Sequence, residues 1–117
     1  MTHQLDHKVR YLQIAFNYDL ALVQRVLPTL PRNPRILIEA GTPFIKREGM
    51  RGISAMRSLW SGHIVADIKT SDGAIQEVDM AARAGADAVT VAGNSPTETL
   101  DFFVAHCHEL DVISMVD

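Results

Sequence analysis

Chemically active side chains stand at the ends of the apolar runs in this sequence. Three runs end at Asn17, Glu39 and Asp67. Lys69 follows Asp67 by two positions, and the last run ends at Asp117. Because the carboxyl ends of parallel strands lie along one edge of an α/β sheet, we expect these side chains to converge there. Carboxylates grouped around an ammonium can hold a cation and stabilise negative charge on a reacting oxygen.

The acidic side chains at this edge predict a bound cation. Two carboxylates about 4 Å apart repel each other by about 4 kcal/mol at an effective dielectric constant of about 20. Glu39, Asp67, Asp72 and Asp117 would share the edge with one nearby cation, Lys69. All of these candidate ligands are oxygen atoms, so the sequence favours Mg²⁺ over Zn²⁺. The alternative is that Asp72 only caps a helix and that Asp67 and Lys69 form a satisfied salt bridge.

The spacing of Asp67 and Lys69 predicts where their side chains point. Residues two apart in an extended strand lie on the same face, so both side chains should face the site. Ala66 and Ile68 would then face the opposite way, toward the helices. A charged pair on the inner face of an apolar strand is costly unless its members are paired.

Five short apolar runs predict the strands that position these residues. The runs are β-branched and nearly continuous, as expected of parallel strands covered on both faces. They are Leu12–Phe16, Ile36–Ile38, Ile64–Ile68, Ala88–Val91 and Val112–Val116.

Helical patterns fill the segments between the strands. Asp19 is a plausible N-cap for the first helix, and Gly85 ends the third. The fourth opens on the capping box Ser95-Pro96-Thr97-Glu98. Gly52 interrupts the second helix. The predicted helices are Leu20–Leu30, Gly49–Trp60, Ala74–Ala84 and a helix from Ser95 to about Leu110.

The alternation of strands and helices predicts an α/β fold in one domain, residues 1–117. The polar strand ends recur about every 25 residues, which suits the βα units of a (β/α)8 TIM barrel or of an open sheet. Eight units need about 250 residues, so 117 residues provide about four. The chain is therefore either the N-terminal half of a barrel or a small flavodoxin-like open parallel sheet.

Composition narrows the class of partner. The formal net charge of −3 makes a nucleic acid or an anionic membrane a poor partner. The apolar runs are far shorter than the roughly 20 residues that cross a bilayer. A single cysteine, Cys107, excludes an internal disulfide and predicts a cytoplasmic protein. We expect a domain that acts on a small molecule.

Three blocks of sequence resemble one enzyme family. The segment Asp67-Ile68-Lys69-Thr70-Ser71-Asp72 matches the DxKxxD motif of the orotidine 5′-phosphate decarboxylase suprafamily. The block 38–49 is similar to the second strand and following loop of 3-hexulose-6-phosphate synthases, and the block 84–91 is similar to their fourth strand. The resemblance, which extends to the 3-keto-L-gulonate-6-phosphate decarboxylases, runs from about Leu12 to Asp117 and favours the N-terminal half of a barrel.

The resemblance implies catalytic roles for individual residues. Glu39 and Asp67 match the carboxylates that hold Mg²⁺ in the family. Lys69 matches the lysine that stabilises a cis-enediolate intermediate on the sugar phosphate. Asp72 matches an aspartate that these dimeric enzymes insert into the neighbouring subunit's active site. The resemblance therefore implies a homodimer or higher oligomer, as do the exposed sheet edges of an isolated half-barrel.

Two further residues and the length of the chain qualify the resemblance. Asp117 falls where the family carries a substrate-binding acidic residue. Asn17 stands where family members commonly have aspartate; it can hydrogen bond to substrate hydroxyls but cannot act as a base. The second half of the family's barrel, with its phosphate-binding loops, would lie outside this chain, which we expect to be truncated relative to the family.

Several functions follow from the resemblance. The first is a Mg²⁺-dependent lyase or aldolase that condenses formaldehyde with ribulose 5-phosphate through an enediolate. The second is decarboxylation of 3-keto-L-gulonate 6-phosphate, and the third is decarboxylation of orotidine 5′-phosphate. The competing class is a non-catalytic half-barrel that serves only in assembly.

Overall fold

The computed structural model describes residues 4–117, which form one parallel sheet with helices on one face. The strand order is β1-β2-β3-β4-β5, and every neighbouring pair is parallel. The strands are β1 (Leu12–Phe16), β2 (Ile36–Ala40), β3 (Ile64–Thr70), β4 (Ala88–Val91) and β5 (Ile113–Val116).

Within residues 4–117, five α-helices connect the strands. A 3-10 turn, Leu27–Thr29, follows the first helix, and Gly49 separates the second from the third. The helices are α1 (Leu20–Val26), α2 (Thr42–Glu48), α3 (Met50–Leu59), α4 (Ala74–Ala84) and α5 (Thr97–Glu109).

The strand order decides between the two predicted architectures. A flavodoxin-like sheet places its first strand between the second and the third, because its chain reverses direction across the sheet. Here each βα unit adds its strand on the same side of the previous one, as in an arc of a barrel. The half-barrel prediction is confirmed, and the flavodoxin-like alternative is wrong.

The two faces of the sheet carry separate apolar clusters. The outer cluster packs the sheet against all five helices, through residues such as Val23, Phe44, Ile53, Val78 and Phe103. A smaller inner cluster joins side chains of the middle strands to the segment before β1, and its buried members are Leu37, Val65 and Ala88. Polar residues follow the inner cluster along the same strands, so the inner face ends in a polar layer.

Helix ends agree with the predictions at some positions and not at others. Asp19 caps α1, since its carboxylate accepts the Leu22 N–H at 3.0 Å. Gly85 ends α4 at φ +112°. The predicted capping box is wrong, because Pro96 is the N-cap of α5 and Ser95 instead donates a hydrogen bond to Ser71.

Strand β3 departs from regular pairing where its charged residues begin. Ala66 pairs with Val89 and Thr70 pairs with Val91, so β3 contains two more residues than β4 between these two pairs. Lys69 lies within this bulge at φ +44°, in the left-handed region. The expected shared orientation of Asp67 and Lys69 is therefore reached through a bulge, not through regular strand alternation. Among the residues that the structure describes, no helix is long and apolar enough to cross a membrane.

Candidate active site

Five side chains meet at the carboxyl edge of the inner face, here called the carboxyl-edge site. Glu39 and Asp67 come from the neighbouring strands β2 and β3; Glu39 pairs with Val65, and Asp67 lies two residues farther along β3. Thr90 lies on β4, and Asp117 directly follows β5. Lys69 joins them from the bulge of β3. The predicted convergence of Glu39, Asp67, Lys69 and Asp117 is thus present within a single chain.

The Asp67 carboxylate is held from two sides. The Thr90 hydroxyl donates to Asp67 Oδ1 at 2.7 Å. The Lys69 ammonium lies 3.3 Å from Oδ1 and 3.1 Å from Oδ2. Burial alone would raise the pKa of Asp67, but the Thr90 and Lys69 hydrogen bonds outweigh it and hold this pKa below its ordinary value. Asp67 therefore stays ionised and fixed in orientation.

The Lys69 ammonium bridges two carboxylates. It forms ion pairs with Asp67 and with Asp117, and its side chain is about half exposed. The hydrogen bond to Asp117, followed by the one to Asp67, raises the pKa of Lys69 above its ordinary value. The site thus presents a charged ammonium at its open side.

Glu39 is the least well compensated carboxylate of the site. Gln13 on β1 donates to Glu39 Oε1 at 2.6 Å. Burial raises the pKa of Glu39, and the negative charge of Asp67 raises it further; the Gln13 hydrogen bond and the more distant Lys69 charge lower it only in part. A second positive charge beside Glu39 would relieve this repulsion.

Glu39 and Asp67 fit the magnesium site implied by the resemblance. No cluster of three or more acidic, histidine or cysteine side chains within residues 4–117 could enclose a metal ion. Mg²⁺ is, however, commonly bound by one or two carboxylates with water and substrate oxygens in the remaining positions. Two adjacent carboxylates, one with an unfavourably raised pKa, match that mode of binding.

Asn17 and Asp72 lie outside this group. Asn17 follows β1, and its Oδ1 packs so closely on Gly41 that a Cβ at Gly41 would lie 1.7 Å from it. Asp72 is exposed in the loop before α4, and no hydrogen bond or ion pair within the described chain joins it to the site. It does not cap α4 either, because Gly73 is the N-cap. Its predicted place in the acidic cluster of the same chain is therefore wrong; its implied role in a neighbouring subunit stays a prediction.

Asp72 instead borders a groove between α4 and α5. The groove has a volume of about 440 Å³. Its apolar lining includes Ile75 on α4 and Phe102 on α5, whose exposed fractions are 49% and 65%. Such large apolar side chains are seldom left in contact with water side by side, which marks this surface as a candidate contact.

Three residues of the site were not singled out from the sequence. Thr90 and Gln13 are polar residues within apolar runs, at strand positions whose side chains face the inner side of the sheet. A polar residue at such a position indicates a contact with the site. Thr42 donates to the Asp67 backbone carbonyl at 2.7 Å, a contact between residues 25 positions apart that no local pattern marks.

The amino-acid sequence is similar to those of known enzymes. A model of the orotidine 5′-phosphate decarboxylase / HUMPS family matches residues 11–117. The bifunctional enzyme Fae/Hps of Methanocella arvoryzae is 43% identical over 109 residues. That alignment covers 92% of this chain and 28% of the bifunctional enzyme, so the chain spans little more than a quarter of that relative.

Solved structures show the same similarity in three dimensions. The 3-hexulose-6-phosphate synthase of Salmonella typhimurium superposes with a TM-score of 0.84 at 30% identity, covering 92% of this chain and 51% of that one. The 3-keto-L-gulonate-6-phosphate decarboxylase of Vibrio cholerae superposes with a TM-score of 0.84 at 28% identity, covering 92% of this chain and 50% of that one. The chain spans about half of each of these barrels.

Proposed function

Because this chain belongs to the orotidine 5′-phosphate decarboxylase / HUMPS family, we propose that it supplies half of a lyase site that acts on a phosphorylated ketose. The proposed reaction is that of a 3-hexulose-6-phosphate synthase, the condensation of formaldehyde with ribulose 5-phosphate. The observation that supports this proposal is the carboxyl-edge site, in which Lys69 is held between Asp67 and Asp117 beside Glu39. The other half of the barrel is proposed to complete the site.

The residues of this half have distinct proposed roles. Lys69 donates to the oxygen on which charge develops in an enediolate, and its two carboxylate partners keep the ammonium charged and in place. Asp117 also accepts from a substrate hydroxyl. Asn17 hydrogen bonds to another hydroxyl but takes no proton, since an amide is not a base at neutral pH.

Glu39 and Asp67 are proposed to hold Mg²⁺. Bound there, the ion would polarise the ketose carbonyl and stabilise negative charge on its oxygen. Calorimetry with MgCl₂ tests this: wild type should bind Mg²⁺, and Glu39→Gln should bind at least about tenfold more weakly because one anionic ligand is lost. Glu109→Gln, at the far end of α5, is the matched control and should bind like wild type. Equal affinity in wild type and Glu39→Gln would contradict the assignment.

Decarboxylation of 3-keto-L-gulonate 6-phosphate is the second candidate. Its support is the superposition with the Vibrio cholerae decarboxylase, which is as close as that with the synthase. The same lysine would stabilise the same kind of intermediate, with loss of CO₂ in place of addition of formaldehyde. Decarboxylation of orotidine 5′-phosphate ranks third, and a purely structural half-barrel is the non-catalytic alternative.

Substrate assays separate these candidates. The protein should be tested with ribulose 5-phosphate and formaldehyde, with 3-keto-L-gulonate 6-phosphate, and with orotidine 5′-phosphate, each with and without Mg²⁺. We expect turnover of the first pair when the other half of the barrel is present, and its loss in Lys69→Met. Turnover of none of the three by a preparation that binds Mg²⁺ would favour the non-catalytic alternative.

We also propose that a second copy of the chain covers the groove between α4 and α5. Two exposed apolar side chains line this groove, and Asp72 lies at its border, where it could approach a neighbouring site. Sedimentation should show a dimer or higher oligomer that Phe102→Lys dissociates. Val104→Lys, on the same helix but outside the groove, is the matched control and should not change the association. A wild-type monomer at micromolar concentration would refute the proposal.

A further inference from the structure

The backbone conformation of Lys69 needs support from outside its own strand. Lys69 has φ +44°, a region that side-chain-bearing residues adopt only when the surroundings favour it. It also lies in the interval where β3 runs two residues longer than β4. Its N–H therefore has no place in the regular pairing of the two strands and requires another acceptor.

Thr90 on β4 provides that acceptor. Its hydroxyl oxygen accepts the Lys69 N–H at 2.9 Å and its proton goes to Asp67 Oδ1 at 2.7 Å. Both directions are fixed by chemistry, because a backbone N–H can only donate and an ionised carboxylate can only accept. Only 6% of the Thr90 surface is exposed, so water is a poor substitute for either bond.

We propose that Thr90 is a positioning residue, whose hydroxyl fixes the bulge of β3 and thereby aims Lys69 and Asp67 at the substrate. The catalytic consequence rests on the proposed function; the structural role of the hydroxyl does not. Thr90 touches neither the substrate nor the metal ion in this scheme. It acts through Lys69, whose backbone N–H donates to the Thr90 hydroxyl, and through Asp67, whose side-chain carboxylate accepts from that hydroxyl.

Isosteric variants test the hydroxyl by itself. Thr90→Val keeps the shape of the side chain and removes both hydrogen bonds, whereas Thr90→Ser keeps the hydroxyl. Thr70→Val is the matched control, because the Thr70 hydroxyl is buried in the adjacent strand and has no hydrogen-bond partner among residues 4–117. All variants are made in the full 117-residue chain.

Hydrogen exchange of the Lys69 amide, followed by NMR, is the direct readout. We expect exchange about tenfold faster in Thr90→Val, because the amide loses its hydrogen bond to the hydroxyl. Thr90→Ser should restore slow exchange, and Thr70→Val should leave it unchanged. Unaltered protection in Thr90→Val, or fast exchange in Thr90→Ser, would overturn the proposal.

Kinetics extend the test to the reaction. With whichever sugar phosphate is turned over, Thr90→Val should lower kcat about tenfold to a hundredfold with KM nearly unchanged, because the reacting groups and not the binding contacts are displaced. A change in KM alone would overturn the catalytic part. If wild type turns over none of the substrates, the proposed function fails, while amide exchange still decides the role of the hydroxyl.

A second pair of variants tests the proposal even if Thr90→Val is too unstable for kinetics. Glycine adopts φ +44° without support, so Thr90→Val should lower the denaturation midpoint less in a Lys69→Gly background than in wild type. An equal shift in both backgrounds would contradict the link between Thr90 and the bulge.

Discussion

Both edges of the sheet contain an ion pair, but within residues 4–117 the charges at the amino edge are satisfied, whereas at the carboxyl edge the charge of Glu39 is only partly compensated. There Arg57 binds Asp87 at 2.7 Å and also donates to the carbonyls of Trp60, Gly62 and Gly85. Asp87 in turn accepts the N–H of Ile64, the first residue of β3, at 2.8 Å. This cluster, here called the amino-edge clamp, ties the loops that enter β3 and β4.

The carboxyl-edge site is built from the same kinds of group with a different outcome. Burial raises the pKa of Glu39, and Lys69 has a backbone conformation that is unfavourable for a lysine. In βα folds the amino edge serves stability and the carboxyl edge carries the chemistry. The ion pair of the amino-edge clamp is satisfied, as expected of a structural position, whereas a partly compensated carboxylate beside a strained residue is what we expect at a position that binds a ligand.

The largest effect is expected at the amino-edge clamp. Arg57→Ala should lower the free energy of unfolding by about 3 kcal/mol, because it leaves the 12%-exposed Asp87 side chain and three loop carbonyls without their partner. Urea denaturation measures the change, and Mg²⁺ affinity of the folded variant should equal that of wild type.

Arg51, an exposed arginine on the same helix, is the control for Arg57. Arg51→Ala should change the free energy of unfolding by less than about 0.5 kcal/mol. If both substitutions cost the same, or if Arg57→Ala weakens Mg²⁺ binding in the folded protein, the separation of roles between the two edges is wrong.

Local signals account for most of the fold. Apolar runs located all five strands to within two residues at either end, since burial on both faces leaves few polar positions inside a parallel strand. The resemblance predicts a loop where the structure has the helix α2, although Pro43 near its start and Gly49 at its end are the usual helix boundaries. The capping box failed because the Ser95 hydroxyl found a tertiary partner, Ser71, in place of the helix.

The candidate site was predictable as a list of residues but not as a geometry. Glu39, Asp67, Lys69 and Asp117 were expected at one edge because strand ends converge. The bulge that orients Lys69 depends on pairing between β3 and β4, a contact between distant residues that no spacing within β3 reveals. Thr90 was overlooked for the same reason, since its importance lies in two partners on another strand.

A smaller effect should expose the strain at Lys69. Glycine has no Cβ and accepts positive φ, so Lys69→Gly should melt several degrees above Lys69→Ala, although both lose the ammonium. Lys46 in α2 is the matched control with the opposite sign: Lys46→Gly should melt below Lys46→Ala, because glycine destabilises a helix. A more stable Lys69→Ala would mean that the bulge is not strained.

The smallest effect concerns Glu39 and depends on pH. The pKa of Glu39 is higher in the folded chain than its ordinary value of 4.5. Between these two pKa values the folded chain holds more protons than the unfolded chain, so the free energy of unfolding decreases as the pH rises through that range. Asp67 has the opposite sign: its pKa is lowered, and its stabilising bonds are lost as the pH falls through the value of the folded state. Without metal, Glu39→Gln should therefore be more stable than wild type at pH 7, by less than about 1 kcal/mol for so partly exposed a group.

Mg²⁺ should reverse the order of the two proteins. Ligand binding stabilises the folded state by about 2.7 kcal/mol at a hundred times Kd, and wild type keeps both carboxylate ligands while Glu39→Gln keeps one. Thermal unfolding at pH 7 in EDTA and in excess MgCl₂ measures both halves of this prediction, with Glu109→Gln expected to follow wild type throughout. If Glu39→Gln is the less stable protein in EDTA, Glu39 stabilises the fold as the amino-edge clamp does, and the contrast between the edges disappears. If wild type is the more stable protein only in Mg²⁺, the lower stability of the carboxyl edge without metal is the consequence of having two adjacent carboxylates that bind the ion.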